Sequence, residues 1–121
     1  MGGRVLVTED NEDNRRIMHD LLVNAGYEVF EAVTGAEGVS AAAAQRPDLI
    51  LMDIQLPVID GYEATRRIKA DPALRGIPII AVTSYALSGD ETKAREAGCD
   101  GYVAKPFSPR ELLAKVREFL P

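Results

Sequence analysis

Five short runs rich in Val, Ile and Leu recur along this sequence, and each is followed by a longer stretch whose apolar residues return at helical spacing. The runs are Arg4 to Thr8 (RVLVT), Glu28 to Ala32 (EVFEA), Asp48 to Asp53 (DLILMD), Pro78 to Thr83 (PIIAVT) and Gly101 to Ala104 (GYVA). Alternation of this kind implies a parallel sheet, since parallel strands need a crossover and a helix supplies it, and such a sheet is covered on both faces. The third and fourth runs are almost wholly apolar and belong inside the sheet. The second sets Glu on both sides of Phe30 and belongs at an edge, where charge discourages further pairing.

Right-handed crossovers then favour an α/β, doubly wound five-stranded parallel sheet of order 2-1-3-4-5 with five helices, the flavodoxin-like arrangement. The first helix, about Glu12 to Ala25, carries Ile17, Met18, Leu21, Leu22 and Ala25 on one face. The last, about Pro109 to Leu120, repeats this with Leu112, Leu113, Val116, Phe119 and Leu120. Four helix starts carry an oxygen-bearing residue followed three positions later by Glu, a pair able to satisfy two orphan backbone donors: Thr34 with Glu37, Asp60 with Glu63, Ser88 with Glu91, and Ser108 with Glu111. Gly26, Gly76 and Gly98 fall where helices or their trailing loops end. The helix from Ser88 to Ala97 has only Ala94 and Ala97 as apolar residues after Leu87, so it docks weakly, as a moving element would.

With 121 residues, the chain fits one domain over 1–121 that needs neither disulfide nor structural metal to fold. Cys99 is alone, which excludes a disulfide scaffold and a Cys-based zinc site and suits a reducing compartment. No apolar run is long enough to span a bilayer, and no signal pattern opens the chain, so a cytoplasmic location is expected. Net charge is −5 (14 Lys+Arg against 19 Asp+Glu), which argues against direct binding to DNA or RNA.

Ligands of open parallel sheets bind beyond the carboxyl ends of the strands, near the point where strand order reverses. Glu9 and Asp10 follow the first strand, Asp53 ends the third, Thr83 and Ser84 end the fourth, and Lys105 and Pro106 follow the fifth. Two carboxylates about 4 Å apart repel by roughly 4 kcal/mol at an effective dielectric near 20, appreciable beside a total stability of about 5 to 15 kcal/mol. Either one acid is protonated at neutral pH or a cation sits among them. One Lys cannot balance three acids, whereas Mg²⁺, a hard ion that keeps several waters, suits two or three carboxylates. Such an ion beside an ammonium and a hydroxyl makes a site for a phosphoryl group, with Lys105 and Thr83 covering two of its oxygens. Asp53, at the end of a buried strand, is the expected acceptor through an acyl phosphate. His19 and Cys99 fall within or after helices, away from this rim.

Glu9-Asp10-Asn11, the segment Met52-Asp53-Ile54-Gln55-Leu56-Pro57 leading to Asp60-Gly61, Thr83-Ser84 and Lys105-Pro106 together resemble the receiver domain of two-component response regulators over essentially the whole chain. Within that family the chain is most similar to DivK-like single-domain regulators and to receiver modules of hybrid histidine kinases. The resemblance implies that Asp53 takes its phosphoryl group from a histidine kinase or a phosphotransfer protein. It implies that Glu9, Asp10, Asp53 and the Gln55 carbonyl hold Mg²⁺, Asp10 directly and Glu9 through water. Thr83 would then swing toward the phosphoryl group and Tyr102 turn inward with it, while a cis bond between Lys105 and Pro106 aims the ammonium. Tyr85 and Gln55 would tune hydrolysis.

The chain ending at Pro121 leads us to expect output through protein contacts, either on the face of the fourth helix, fifth strand and fifth helix or near the first helix, with homodimerisation on phosphorylation as a further route. It would be a regulator that assists its own phosphorylation and dephosphorylation rather than an enzyme. Two other classes share this topology. An Asp-nucleophile phosphatase of the haloacid dehalogenase kind needs a second Asp where Gln55 stands. A flavin or nucleotide module needs a phosphate-cradling loop where Glu9-Asp10-Asn11 would repel phosphate.

Overall fold

In the computed structural model, residues 3–84 and 89–121 are described; Tyr85 and Ser88, each given a role above, lie outside them. The elements follow the order β1 (Arg4–Thr8), α1 (Glu12–Asn24), β2 (Glu28–Ala32), α2 (Gly35–Gln45), β3 (Leu49–Asp53), α3 (Gly61–Ala70), β4 (Ile79–Thr83), α4 (Asp90–Ala97), β5 (Gly101–Ala104) and α5 (Pro109–Phe119). All strand pairs are parallel and the sheet order is β2-β1-β3-β4-β5, with the Glu-bearing β2 at an edge, as its sequence predicts. Every residue of β3 and β4 is buried.

Side-chain alternation divides the sheet between two cores. Leu6, Ile50, Met52, Ile79 and Ala81 pack with Ala42 of α2, Ala64 and Ile68 of α3 and Ala94 of α4. Val5, Val7, Leu49, Leu51, Ile80 and Val82 pack with Met18 and Leu22 of α1 and Leu112 and Val116 of α5. The register sets Thr8 beside Met52, Asp53 beside Val82 and Thr83 beside Ala104, so the carboxyl ends of four strands finish at one rim.

Two local expectations need correction. Ile17, assigned to the buried face of α1, is 53% exposed, standing at the margin of the apolar stripe where no described element covers it. Of the three capping boxes that lie among the described residues, only Ser108 with Glu111 closes in both directions. Thr34 and Asp60 do accept from the backbone of Glu37 and Glu63. However, the Glu37 carboxylate takes the N–H of Val33, one residue earlier than expected, and that of Glu63 is drawn away by Arg66 and Arg67. The box of Ser88 with Glu91 falls on Ser88, outside the described residues; the fourth helix is described from Asp90, after Gly89 at φ 91°, and Glu91 pairs with Arg95 at 2.9 Å.

The small apolar burial expected of α4 is what the described residues show: those buried are Ala94 and Ala97. What fastens it is polar. The Asp90 carboxylate accepts from the hydroxyl of Tyr62 on α3 and, at 2.8 Å, from the hydroxyl of Tyr102 on β5.

Candidate functional site

Glu9 leaves the end of β1 with its N–H bonded to the Ala32 carbonyl at 3.0 Å, and its side chain is 1% exposed. One carboxylate oxygen accepts from Lys105 Nζ at 2.7 Å and the other from the Asn11 N–H at 3.2 Å. Asp53 closes β3 at 2% exposure, accepting the Gln55 N–H on Oδ1 at 3.0 Å and lying 3.5 Å from Lys105 Nζ through Oδ2. Asp10 is exposed, and carboxylate oxygens of Glu9, Asp10 and Asp53 lie within 4.8 Å of one another. The rim read from the sequence therefore holds together in three dimensions. Lys105 hangs from β5 with its N–H on the Thr83 carbonyl at 2.7 Å, and its bond to Pro106 is cis.

Burial, and next the neighbouring Asp53, push the Glu9 carboxyl above its ordinary range, with the Lys105 ammonium pulling the other way. Two buried acids and one exposed acid against a single ammonium leave the cluster short of positive charge. Hard oxygen donors with that imbalance fit a divalent ion of the Mg²⁺ type.

Gln55 does more than the sequence suggests. Its side-chain Nε2 donates to Thr83 Oγ1 at 2.5 Å, and its Oε1 accepts the Ser84 N–H at 3.0 Å. One residue thus ties the Asp53 carboxylate to the buried Thr83 hydroxyl and to the first peptide beyond β4. The chain reaches α3 from Asp53 by turning back on itself at Gly61, where a Cβ would lie 2.2 Å from the Asp53 carbonyl oxygen. Only glycine fits there, which gives the Asp60-Gly61 pair its physical reason.

Tyr102 packs against the core beneath α2, α3 and α4 with its hydroxyl on Asp90. Sequence reasoning missed this partner, and missed Tyr62 and Arg15 as well. Arg15 donates from Nη1 to the Glu9 carbonyl at 2.9 Å. His19 sits on α1 beside Asp20, and Cys99 is buried near Thr65, both apart from the rim as expected. A cavity of about 420 Å³ opens next to the site, lined by Asn14, Ile17, Ser84, Lys105, Pro106 and Phe107. Its wall includes the exposed Ile17. Among the described residues, no helix is long and apolar enough to cross a membrane.

Comparison with known proteins agrees with this geometry. The profile of the response regulator receiver domain matches residues 5–117. The polar-differentiation response regulator DivK of Brucella anthropi is 44% identical over 116 residues, covering 96% of this chain and 94% of that one. Among solved structures, the receiver domain of sensor histidine kinase PA1611 from Pseudomonas aeruginosa, with a magnesium ion coordinated in its active-site cleft, is 42% identical with a TM-score of 0.91, covering 98% of each chain. Chemotaxis response regulator CheY4 of Vibrio cholerae is 28% identical with a TM-score of 0.93, covering 99% of this chain and 100% of that one.

Proposed function

Because this chain belongs to the response regulator receiver domain family, we propose that it is a phosphorylation-controlled switch of a two-component or phosphorelay system, with Asp53 as acceptor. The observation that carries the assignment is the buried Asp53 carboxylate, held by Gln55 N–H and Lys105 at the centre of an acidic rim. An Asp53 carboxylate oxygen attacks the phosphorus of a phosphohistidine on the kinase or phosphotransfer protein; the O–P bond forms as the N–P bond breaks and the imidazole leaves. Transfer of this kind needs positioning and charge neutralisation more than covalent assistance. Glu9, Asp10, Asp53 and the Gln55 carbonyl would hold Mg²⁺, which when bound neutralises phosphoryl oxygen charge. Lys105, now shared between Glu9 and Asp53, meets another oxygen, and the Thr83 hydroxyl meets a third.

Response follows from the same contacts. Engaging the phosphoryl group draws Thr83 away from the Gln55 amide, and Tyr102 then turns inward and gives up Asp90. That loosens α4, whose apolar anchorage is slight. Incoming phosphoryl donors would approach the groove beside α1, and a cytoplasmic target protein or a second copy of the chain would read the face of α4, β5 and α5. Gln55 in place of a second Asp disfavours the haloacid dehalogenase reading, and the acidic rim disfavours a flavin or nucleotide module.

Incubation with Mg²⁺ and a small phosphodonor tests the proposal by intact mass. One phosphoryl group on the wild type and none on Asp53→Ala is expected. An unmodified wild type, or equal modification of both, would refute it.

A further inference from the structure

Arg15 stands on the first turns of α1, outside the set of residues assigned to the reaction, yet its guanidinium is occupied on two sides. Nη1 donates to the Glu9 carbonyl at 2.9 Å, Nε donates to Glu31 Oε1 of β2 at 3.0 Å, and the side chain is only 17% exposed. The Glu9 N–H is bonded to the carbonyl of Ala32, the next residue of β2. Both polar ends of the Glu9 backbone are therefore tied to the same strand end, the N–H directly and the carbonyl through Arg15. The peptide so fixed joins Glu9 to Asp10, the pair that supplies two of the three clustered carboxylates.

We infer that Arg15 is a positioning residue that holds the Glu9–Asp10 turn in the shape its carboxylates need to take a divalent ion. This rests on the reading of the cluster as a metal site. A planar fork with several donors can serve a carbonyl and a carboxylate at once, which an ammonium cannot do with the same rigidity. A partly exposed ion pair to Glu31 by itself contributes little stability, so the bridge is not explained as a fastening for the fold. Groups that orient metal ligands, by contrast, typically change affinity by about 10- to 100-fold when removed.

The sign of the effect separates positioning from plain electrostatics. Deleting a positive charge beside an acidic cluster would, by Coulomb's law alone, tighten cation binding. Loss of positioning weakens it. The experiment is a Mg²⁺ titration of the full chain, followed by calorimetry and by the backbone amide signals of Asp10 and Asn11, with wild type, Asp10→Asn, Arg15→Met, Arg15→Lys, Glu31→Gln and the Arg15→Met/Glu31→Gln pair. Arg15→Met is expected to bind about 10-fold more weakly. Arg15→Lys, which keeps the charge and loses the fork, should fall near Arg15→Met, and the double variant should be no weaker than Arg15→Met. The metal-free amide signals of Glu9 and Asp10 should also move in Arg15→Met while those of α3 stay.

Binding by Arg15→Met that equals or exceeds wild type, or full recovery in Arg15→Lys, overturns the inference alone. A wild type that takes no Mg²⁺, or an Asp10→Asn variant that binds equally well, overturns the metal-site reading and the inference with it. Should Arg15→Met fail to fold, Glu31→Gln decides. A loss that persists when added salt screens the charges supports positioning, and a loss that salt abolishes refutes it.

Discussion

Asp90→Ala should unfasten α4 while leaving the sheet in place. The apolar anchorage of this helix is two buried alanine side chains, Ala94 and Ala97, together worth roughly 1.5 kcal/mol at about 0.8 kcal/mol per buried carbon. Against that stand two hydrogen bonds from tyrosine hydroxyls to one carboxylate. Bonds to charged groups contribute about 1.5 to 3 kcal/mol when buried, and these are part-exposed, so about 1 kcal/mol each is reasonable. Removing both thus deletes about 2 kcal/mol, more than the two alanines supply, and shifts the local opening equilibrium of the helix by roughly 30-fold. Native-state hydrogen exchange reads this directly. Amides of residues 94–97 should lose roughly 30-fold in protection while those of β3 and β4 change little, and Tyr62→Phe and Tyr102→Phe should each give about 5-fold. Unchanged protection in α4, or an equal loss in every element, would refute the claim that Asp90 is its principal fastening.

Thr8 Oγ1 is buried with no hydrogen-bond partner among the described residues, so the near-isosteric Thr8→Val should raise stability by about 1 kcal/mol in urea; a destabilised variant would show that the hydroxyl has a role. Val58 is fully exposed at φ 68°, where a branched side chain costs about 1 to 2 kcal/mol, so Val58→Asn should stabilise by about 1 kcal/mol, and an unmoved urea midpoint would contradict this. Burial, and then Asp90, raise the Tyr102 hydroxyl from 10 to about 12 and raise Tyr62 as well. Since the folded value lies above the unfolded one, the stability from Tyr102 is intact below pH 10 and fades as pH climbs toward 12. An ultraviolet titration should show a late phenolate component that Asp90→Asn moves toward pH 10, and coincident curves would count against the Asp90 contact.

The sheet could be read from the sequence because β3 and β4 are nearly pure apolar runs, buried throughout, and all five runs alternate with segments of helical period. The rim could be read for the same reason: once the strands are placed, Glu9, Asp10, Asp53, Thr83 and Lys105 follow from where each strand stops. Contacts between helices could not. Tyr62 and Asp90 lie 28 residues apart, and each reads locally as a polar position on a helix start, so nothing in either segment announces the other. Ile17 fits the helical stripe by spacing, but burial at the margin of a stripe is decided by what the rest of the chain lays over it. Gln55 was legible as a backbone neighbour of Asp53, whereas its amide bridge to Thr83 and Ser84 depends on how β3 and β4 lie side by side.

Borohydride reduction converts an aspartyl phosphate into homoserine and so fixes the acceptor chemically. After phosphotransfer from a phosphohistidine donor, tritiated borohydride followed by peptide mapping should place homoserine at position 53 and nowhere else. A trapped label at Glu9 or Asp10, or phosphate retained on His19 with none at Asp53, would contradict the assignment of this carboxylate as the acceptor.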